Sequence, residues 1–274
     1  MLKLTSKEWI KHNPLLIGAA ISFYIILSMG PILAVIILIL GEIFGKQSAE
    51  GQIVREVSTM VGEKPSEILQ TIIQKASTSS YKTMAVISSI PLIFFGTTMV
   101  FFQLRNALNI IWGIKEEKTT LSNKVKQYSF SFLMFLIVGF FFFLLILKNP
   151  ALVLIKDYLN NIITIPIFLF DILNLVITYL LITILFAAVY KILPKADIDP
   201  RDIWIGAAVT SVFFTIVQFL IGINAENSSI DSSLGAIGSF TILFLWIFYS
   251  SLVFLFGASF TKVYSEGIIR SKKK

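Results

Sequence analysis

Few residues of this 274-residue chain could do chemistry, and most of those are polar groups set in or beside apolar sequence. The absence of cysteine excludes disulfides, thiolate metal sites and cysteine nucleophiles, and a single histidine, His12, cannot form a histidine cluster. Polar side chains at membrane depth are costly, so they mark helix contacts or the path of a polar substrate. We predict no catalytic residue, metal or cofactor, and we predict lining or positioning roles for Ser22, Ser28, Pro31, Arg105, Asn109, Asp171 and Ser250.

Asp171 is the plainest ionisable group within an apolar stretch. It precedes Tyr190 by 19 residues, which corresponds to about 28 Å of helix and places it near the outer membrane boundary. Two interpretations stay open: an interfacial carboxylate, or a ligand for a substrate or ion.

Small residues and prolines recur in these stretches. Gly206 and Gly257 each begin a small-residue triplet, which favours close helix packing, although a polar translocation path is the alternative. Pro31, Pro91 and Pro166 predict broken helices, a feature of transporter binding sites and also of ordinary membrane architecture.

Six apolar stretches must position these residues. Each is near or above the roughly 20 residues that a helix needs to cross a hydrocarbon core, and only 14% of the chain is charged against about 25% in soluble domains. We predict an all-α integral membrane protein, one domain over 1–274, with six transmembrane helices in one bundle at 15–41, 84–102, 128–147, 162–190, 203–223 and 237–261.

The basic residues predict the orientation of the chain. Of the 23 Lys and Arg, 16 fall on the side that carries both termini and 7 on the other. The positive-inside rule therefore places both termini in the cytoplasm, and an even number of crossings requires the same arrangement. The basic tail from Arg270 is expected to contact anionic lipid rather than nucleic acid.

The segment 42–83 is the one large insertion between crossings, on the extracytoplasmic side. Apolar residues at helical spacing predict two short amphipathic helices, 48–61 and 66–77. Their apolar faces can pack on the bundle or lie in the headgroup layer, and a lid over an outward-facing opening is the functional alternative.

Four segments resemble the YihY/BrkB family of bacterial inner-membrane proteins, in order and across nearly the whole chain. The first, 13–31, contains Ala-Ala, an aromatic pair, Leu-Ser and a proline. The second is Leu-Asn-x-Ile-Trp-x-x-Lys at 108–115, and the third is Tyr-x-x-Leu-Pro at 190–194. The fourth, 234–258, contains Leu-Gly-Ala-Ile, Leu-Trp-Ile-Phe-Tyr-Ser and Gly-Ala. Many relatives follow the last Gly-Ala with glutamate, whereas this chain has Ser259 and so lacks that carboxylate. Asp171 belongs to none of these motifs.

The resemblance implies a bacterial plasma-membrane protein that moves a lipid, a lipid-linked precursor or a small solute. The alternative is a non-transporting envelope scaffold that binds partners through its outer insertion. The family's historical ribonuclease BN label lacks chemical support here, because metal-dependent hydrolysis needs a His and carboxylate cluster. We expect no enzymatic activity and no nucleic acid, with membrane lipids, a second copy of the chain or an envelope protein as partners.

Overall fold

The computed structural model describes residues 1–44, 98–114, 121–160, 166–227 and 236–272, with the single positions 51 and 70. All regular secondary structure in these residues is helical, which confirms the predicted all-α class for the described part of the chain. In chain order the helices are α1 (Leu2–Lys11), α2 (Pro14–Phe44), α3 (98–112, its described part), α4 (Leu121–Asn160), α5 (Ile167–Ile192), α6 (Pro200–Asn227) and α7 (Ala236–Lys272).

Three described helices are long and apolar enough to cross a membrane, and they coincide with the last three predicted stretches. A fourth span is added if α1 and the first half of α2, which meet at 70°, count as one broken span. The three are Phe168–Ile192, Pro200–Ile221 and Phe240–Gly267. The stretch 15–41 lies within α2 and 128–147 within α4. The stretch 84–102 and the insertion 42–83 fall almost entirely outside the described residues, so the total of six stays a prediction.

The bend between α1 and α2 has a local cause. Asn13 adopts a left-handed conformation with φ 49°, which asparagine tolerates better than most residues. Pro14 then opens α2 at the first helical position, where a missing backbone N–H costs nothing. The short linker His12–Asn13 therefore turns the chain sharply without a long loop.

Two further helix boundaries also have local causes. Gly113, with φ +68°, ends α3 in a Schellman motif: its N–H donates to Ile110 O, and Ile114 N–H donates to Asn109 O. α6 begins at Pro200, and the Asp199 side chain accepts a 3.0 Å bond from the Arg201 N–H. Asp followed by Pro is a favoured helix start.

The predicted proline breaks are wrong at two of the three positions. α2 continues through Pro31 as unbroken helix, and Pro166 stands at the N-cap of α5, before the first helical residue. Proline removes one backbone hydrogen bond from a helix interior, which a long apolar helix tolerates, and removes none at an N-cap. Pro91 lies outside the described residues. α4 likewise continues through Pro150.

α6 and α7 cross at two glycines arranged reciprocally. The position of a Cβ on Gly206 is occupied by Thr261, and that of a Cβ on Gly257 by Thr210 and the Tyr190 hydroxyl. Each threonine lies four residues after the glycine of its own helix and donates to that glycine's carbonyl, at 2.7 Å for Thr210 and 2.8 Å for Thr261. The two helices therefore approach to backbone contact, as the small-residue triplets predict.

A buried core lies where the ends of α3 and α5 meet the start of α6 and the middle of α7. Tyr190 is buried at its centre, and its hydroxyl donates to Phe254 O at 2.7 Å and lies 3.2 Å from Thr210 Oγ1. The ring packs against Phe186 and Phe254. Tyr190 thus fastens α5 to both α6 and α7, and the buried Leu193 and Pro194 complete the turn that follows.

Candidate functional site

The two predicted serines of α2 are buried and make helix contacts. Ser22 Oγ donates to Gly18 O at 2.7 Å and lies 3.4 Å from Ser251 Oγ of α7. Ser28 Oγ donates to Ile25 O at 3.0 Å. Their hydroxyls are satisfied by protein atoms, which fits the packing interpretation. The side chain of Pro31 is outside the described residues.

Asn109 and Arg105 attach α3 to its neighbours. Asn109 is 7% exposed, and its Oδ1 accepts the backbone N–H of Lys195 at 3.2 Å, across the turn that follows α5. The Arg105 guanidinium lies over the Phe130 ring of α4, 5.3 Å from its centroid. Asn109 belongs to the Leu-Asn-x-Ile-Trp segment of the family resemblance, and Lys195 directly follows the Tyr-x-x-Leu-Pro segment. This hydrogen bond therefore connects two of the resembling segments.

We expect Asn109→Ala to lower the free energy of unfolding by about 1 kcal/mol, because the Lys195 N–H loses its acceptor in a partly buried hydrogen bond. Thermal denaturation in detergent measures the loss. Asn106→Ala is the control one turn earlier, since Asn106 Oδ1 has no hydrogen-bond partner among the described residues. Equal losses in the two variants would contradict a specific role for the Asn109 contact.

Ser250 differs from the other serines. Its Oγ is buried and has no hydrogen-bond partner among the described residues, and the same holds for Trp246 Nε1, one turn earlier on α7. The Trp246 ring meets the edge of Phe214 of α6. Both residues lie in the span Phe240–Gly267, with Ser250 near its middle. This pair of unsatisfied polar atoms is called the Trp246–Ser250 pair below.

Asp171 lies on the second turn of α5 and is exposed. About 28 Å of helix separates it from Tyr190, so it is far from Asn109 and the packed core. The structure does not bring the predicted site residues into one cluster: Ser22 faces α7, Asn109 and Arg105 hold α3, and Asp171 stands apart.

Sequence reasoning missed a charged cluster at the end of the molecule where α1 lies, called the α1 end below. Lys262 Nζ contacts Glu8 Oε1 at 2.5 Å and donates to Ile111 O at 2.8 Å, and His12 Nε2 lies 3.1 Å from the same Glu8 oxygen. The hydrogen bond from Lys262, opposed by partial burial, lowers the pKa of the Glu8 carboxyl to about 2, and His12 adds to the shift. The cluster joins α1, α3 and α7. No local pattern could have found it, because Glu8 and Lys262 are 254 residues apart.

A crevice beside this cluster is lined mainly by apolar side chains and contains Ser259. It has no space for a water molecule, and it is bounded by Trp9, His12, Pro14, Ile17, Ile111, Leu255 and Ser259. Ser259 Oγ donates to Leu255 O at 3.0 Å. Within the described residues no three His, Cys, Asp or Glu side chains are grouped to hold a metal ion. The arrangement here is suited to fastening three helices together.

Comparison with known proteins identifies a matching protein family and several similar membrane proteins. A family model described as virulence factor BrkB matches residues 5–274. The chain is similar to UPF0761 membrane proteins of Psychrobacter sp. (23% identical over 93% of this chain and 46% of the relative), Alteromonas mediterranea (32% over 32% and 30%) and Actinobacillus pleuropneumoniae (34% over 32% and 33%). These alignments cover less than half the length of each relative. No solved structure matches the chain.

The family match spans almost every residue described above, including the α1 end, the turn at Tyr190 and the α6–α7 crossing. The apolar helices agree with the relatives' description as membrane proteins. This membrane protein belongs to the BrkB virulence factor family.

Proposed function

We propose that this protein crosses the bacterial plasma membrane six times, with both termini in the cytoplasm, and moves a lipid, a lipid-linked precursor or a small solute without enzymatic activity. The six apolar stretches support the number of crossings. The excess of Lys and Arg on the side that carries both termini, 16 against 7, supports the orientation. A topology reporter fused to either terminus tests the orientation directly, since cytoplasmic signal is expected from both.

The observation that carries the transport proposal is the Trp246–Ser250 pair. A buried polar group in hydrocarbon without a hydrogen-bond partner costs several kcal/mol, and a polar guest that bonds to it would offset that cost. An N–H donor and a hydroxyl one turn apart, near the middle of a span, offer a polar guest one donor and one group that can donate or accept. We interpret the pair as part of a substrate path.

Proteoliposomes test this proposal. Purified protein should move fluorescent phospholipids or small solutes faster than empty liposomes do. Ser250→Ala combined with Trp246→Phe should lower the rate by about tenfold, the effect of losing roughly 1.4 kcal/mol of hydrogen bonding to the guest.

The matched control is Ser251→Ala. Ser251 is the next residue, but its hydroxyl already donates to Ile247 O at 2.8 Å, so its removal should leave the rate unchanged. Absence of movement for every lipid and solute class in the wild type would reject transport. An unaltered rate in the double variant would reject this path.

A further inference from the structure

α1 has two faces of different character. The inner face packs on α7: Thr5 is fully buried, Trp9 meets the edge of Phe256, and Glu8 holds Lys262. Because Glu8 is the helix's single acidic residue and is turned toward Lys262, the opposite face carries no carboxylate. One basic residue of that face, Lys11, lies 3.8 Å from Glu8 but remains 67% exposed.

The outward face is cationic and apolar together. Lys3, Lys7 and Lys11 recur every four residues and form one exposed row about 12 Å long. Leu4 and Ile10, each one turn from Lys7, flank the row and are 60% and 63% exposed. Lysines beside exposed apolar side chains are typical of a helix that lies in a headgroup layer, with apolar groups dipping inward and ammonium groups at the phosphates.

The geometry of the bend places this face at a membrane boundary. Leu15 and Leu16, in the first turn of α2, are 63% and 75% exposed, which marks the start of the lipid-facing surface immediately after Pro14. α1 leaves that point at 70° to α2. A helix that departs steeply from a spanning helix at the boundary runs along the membrane surface rather than across it.

We propose that the row Lys3–Lys7–Lys11 is a binding surface for anionic phospholipid headgroups of the leaflet at the α1 end. Three exposed positive charges, of which only Lys11 lies within 4 Å of a carboxylate in the described part of the chain, complement phosphodiester groups, and the flanking Leu4 and Ile10 fit the acyl boundary beneath them. Zwitterionic lipids carry no net charge and bind this row less tightly. The inference concerns lipid binding alone and does not depend on transport.

The experiment uses the full chain in nanodiscs of phosphatidylcholine with a minor fraction of phosphatidylglycerol. Native mass spectrometry after release counts the retained lipids of each class. Wild type should retain phosphatidylglycerol in excess of its share, and the excess should fall at high salt. Lys7→Gln should lower the preference about fivefold, and Lys3→Gln/Lys7→Gln further, since each basic residue near an anionic surface contributes about 1 kcal/mol.

Two further variants make the result decisive. Lys3→Arg/Lys7→Arg keeps the charge and should keep the preference. Lys195→Gln/Arg201→Gln removes the same charge from two exposed residues at the same end of the molecule, one in the α5–α6 connection and one in the first turn of α6, and should leave the preference unchanged. An equal fall in Lys3→Gln/Lys7→Gln and in Lys195→Gln/Arg201→Gln, or no preference in the wild type, would overturn the proposal. Melting curves identify any variant that loses its fold. In that case the wild type tests the proposal by itself, because a phosphatidylglycerol excess that does not fall at high salt would contradict it.

Discussion

Gly257→Ala is expected to lower the free energy of unfolding by about 3 kcal/mol or more, a large effect for a single methyl group. The new Cβ would overlap Thr210 and the Tyr190 hydroxyl, which both belong to neighbouring helices. The overlap cannot be relieved by one flexible side chain, because Thr210 bonds Gly206 O and Tyr190 bonds Phe254 O. We expect a fall in melting temperature of about 10 °C in detergent, with loss of folded material on size-exclusion chromatography.

Gly139→Ala is the matched control. Gly139 also lies inside a long helix, α4, but a Cβ there would meet nothing within 4 Å. Alanine has the higher helix propensity, so this variant should be neutral or slightly stabilising. Comparable destabilisation by both substitutions would mean that Gly257 does not serve the crossing.

The other glycine of the crossing permits a compensation test. The three atoms nearest to a Cβ on Gly206 all belong to Thr261. Gly206→Ala should therefore destabilise the protein, and Gly206→Ala/Thr261→Gly should recover part of the loss, which gives a coupling free energy of about 1–3 kcal/mol in a double-mutant cycle. Additive losses would show that the two residues are not in contact.

This crossing also shows which parts of the fold were predictable. The triplets that begin at Gly206 and Gly257 indicate close helix approach from residue type alone, because the absence of a side chain is itself the information. The boundaries at Gly113 and at Asp199–Pro200 were not predicted, although both depend on conformational preferences that act locally. Such signals need no knowledge of the partner helix.

Features that depend on distant residues were not predictable. Proline predicts a lost hydrogen bond at Pro31, but whether the helix stops there depends on the surrounding helices, and α2 continues. Asn109 is one of the predicted pathway residues. Its acceptor role for Lys195 follows from the arrangement of α3 and the α5–α6 turn, which no local pattern contains. The roles predicted for the seven candidate residues in a substrate path stay predictions.

The contact between Glu8 and Lys262 at the α1 end is the clearest case of a long-range contact, and its loss should have the second large effect. Lys262→Met should lower the free energy of unfolding by about 2–3 kcal/mol, less than the 3–5 kcal/mol of a fully buried pair because Lys262 and Glu8 keep 13% and 20% exposure. Glu8 would remain partly buried with only His12 and the more distant Lys11, and Ile111 O would lose its donor. Limited proteolysis should then cleave at α1, and the melting temperature should fall by about 5–10 °C.

Acid should produce a related effect in the wild type. The pKa of Glu8 is lowered from its ordinary value of 4.5 to about 2, so its contribution is complete above pH 4.5 and is lost as the pH falls from 4.5 toward 2. Glu8→Gln has no carboxyl to protonate, and its stability should decline less over this window.

Glu8→Gln/Lys262→Met removes both charges and should be more stable than Lys262→Met alone, because no unpaired carboxylate is left at the α1–α7 contact. If Glu8→Gln kept the full acid sensitivity of the wild type, or the double variant were less stable than Lys262→Met, the ion pair would not be the contact that holds α1 to α7.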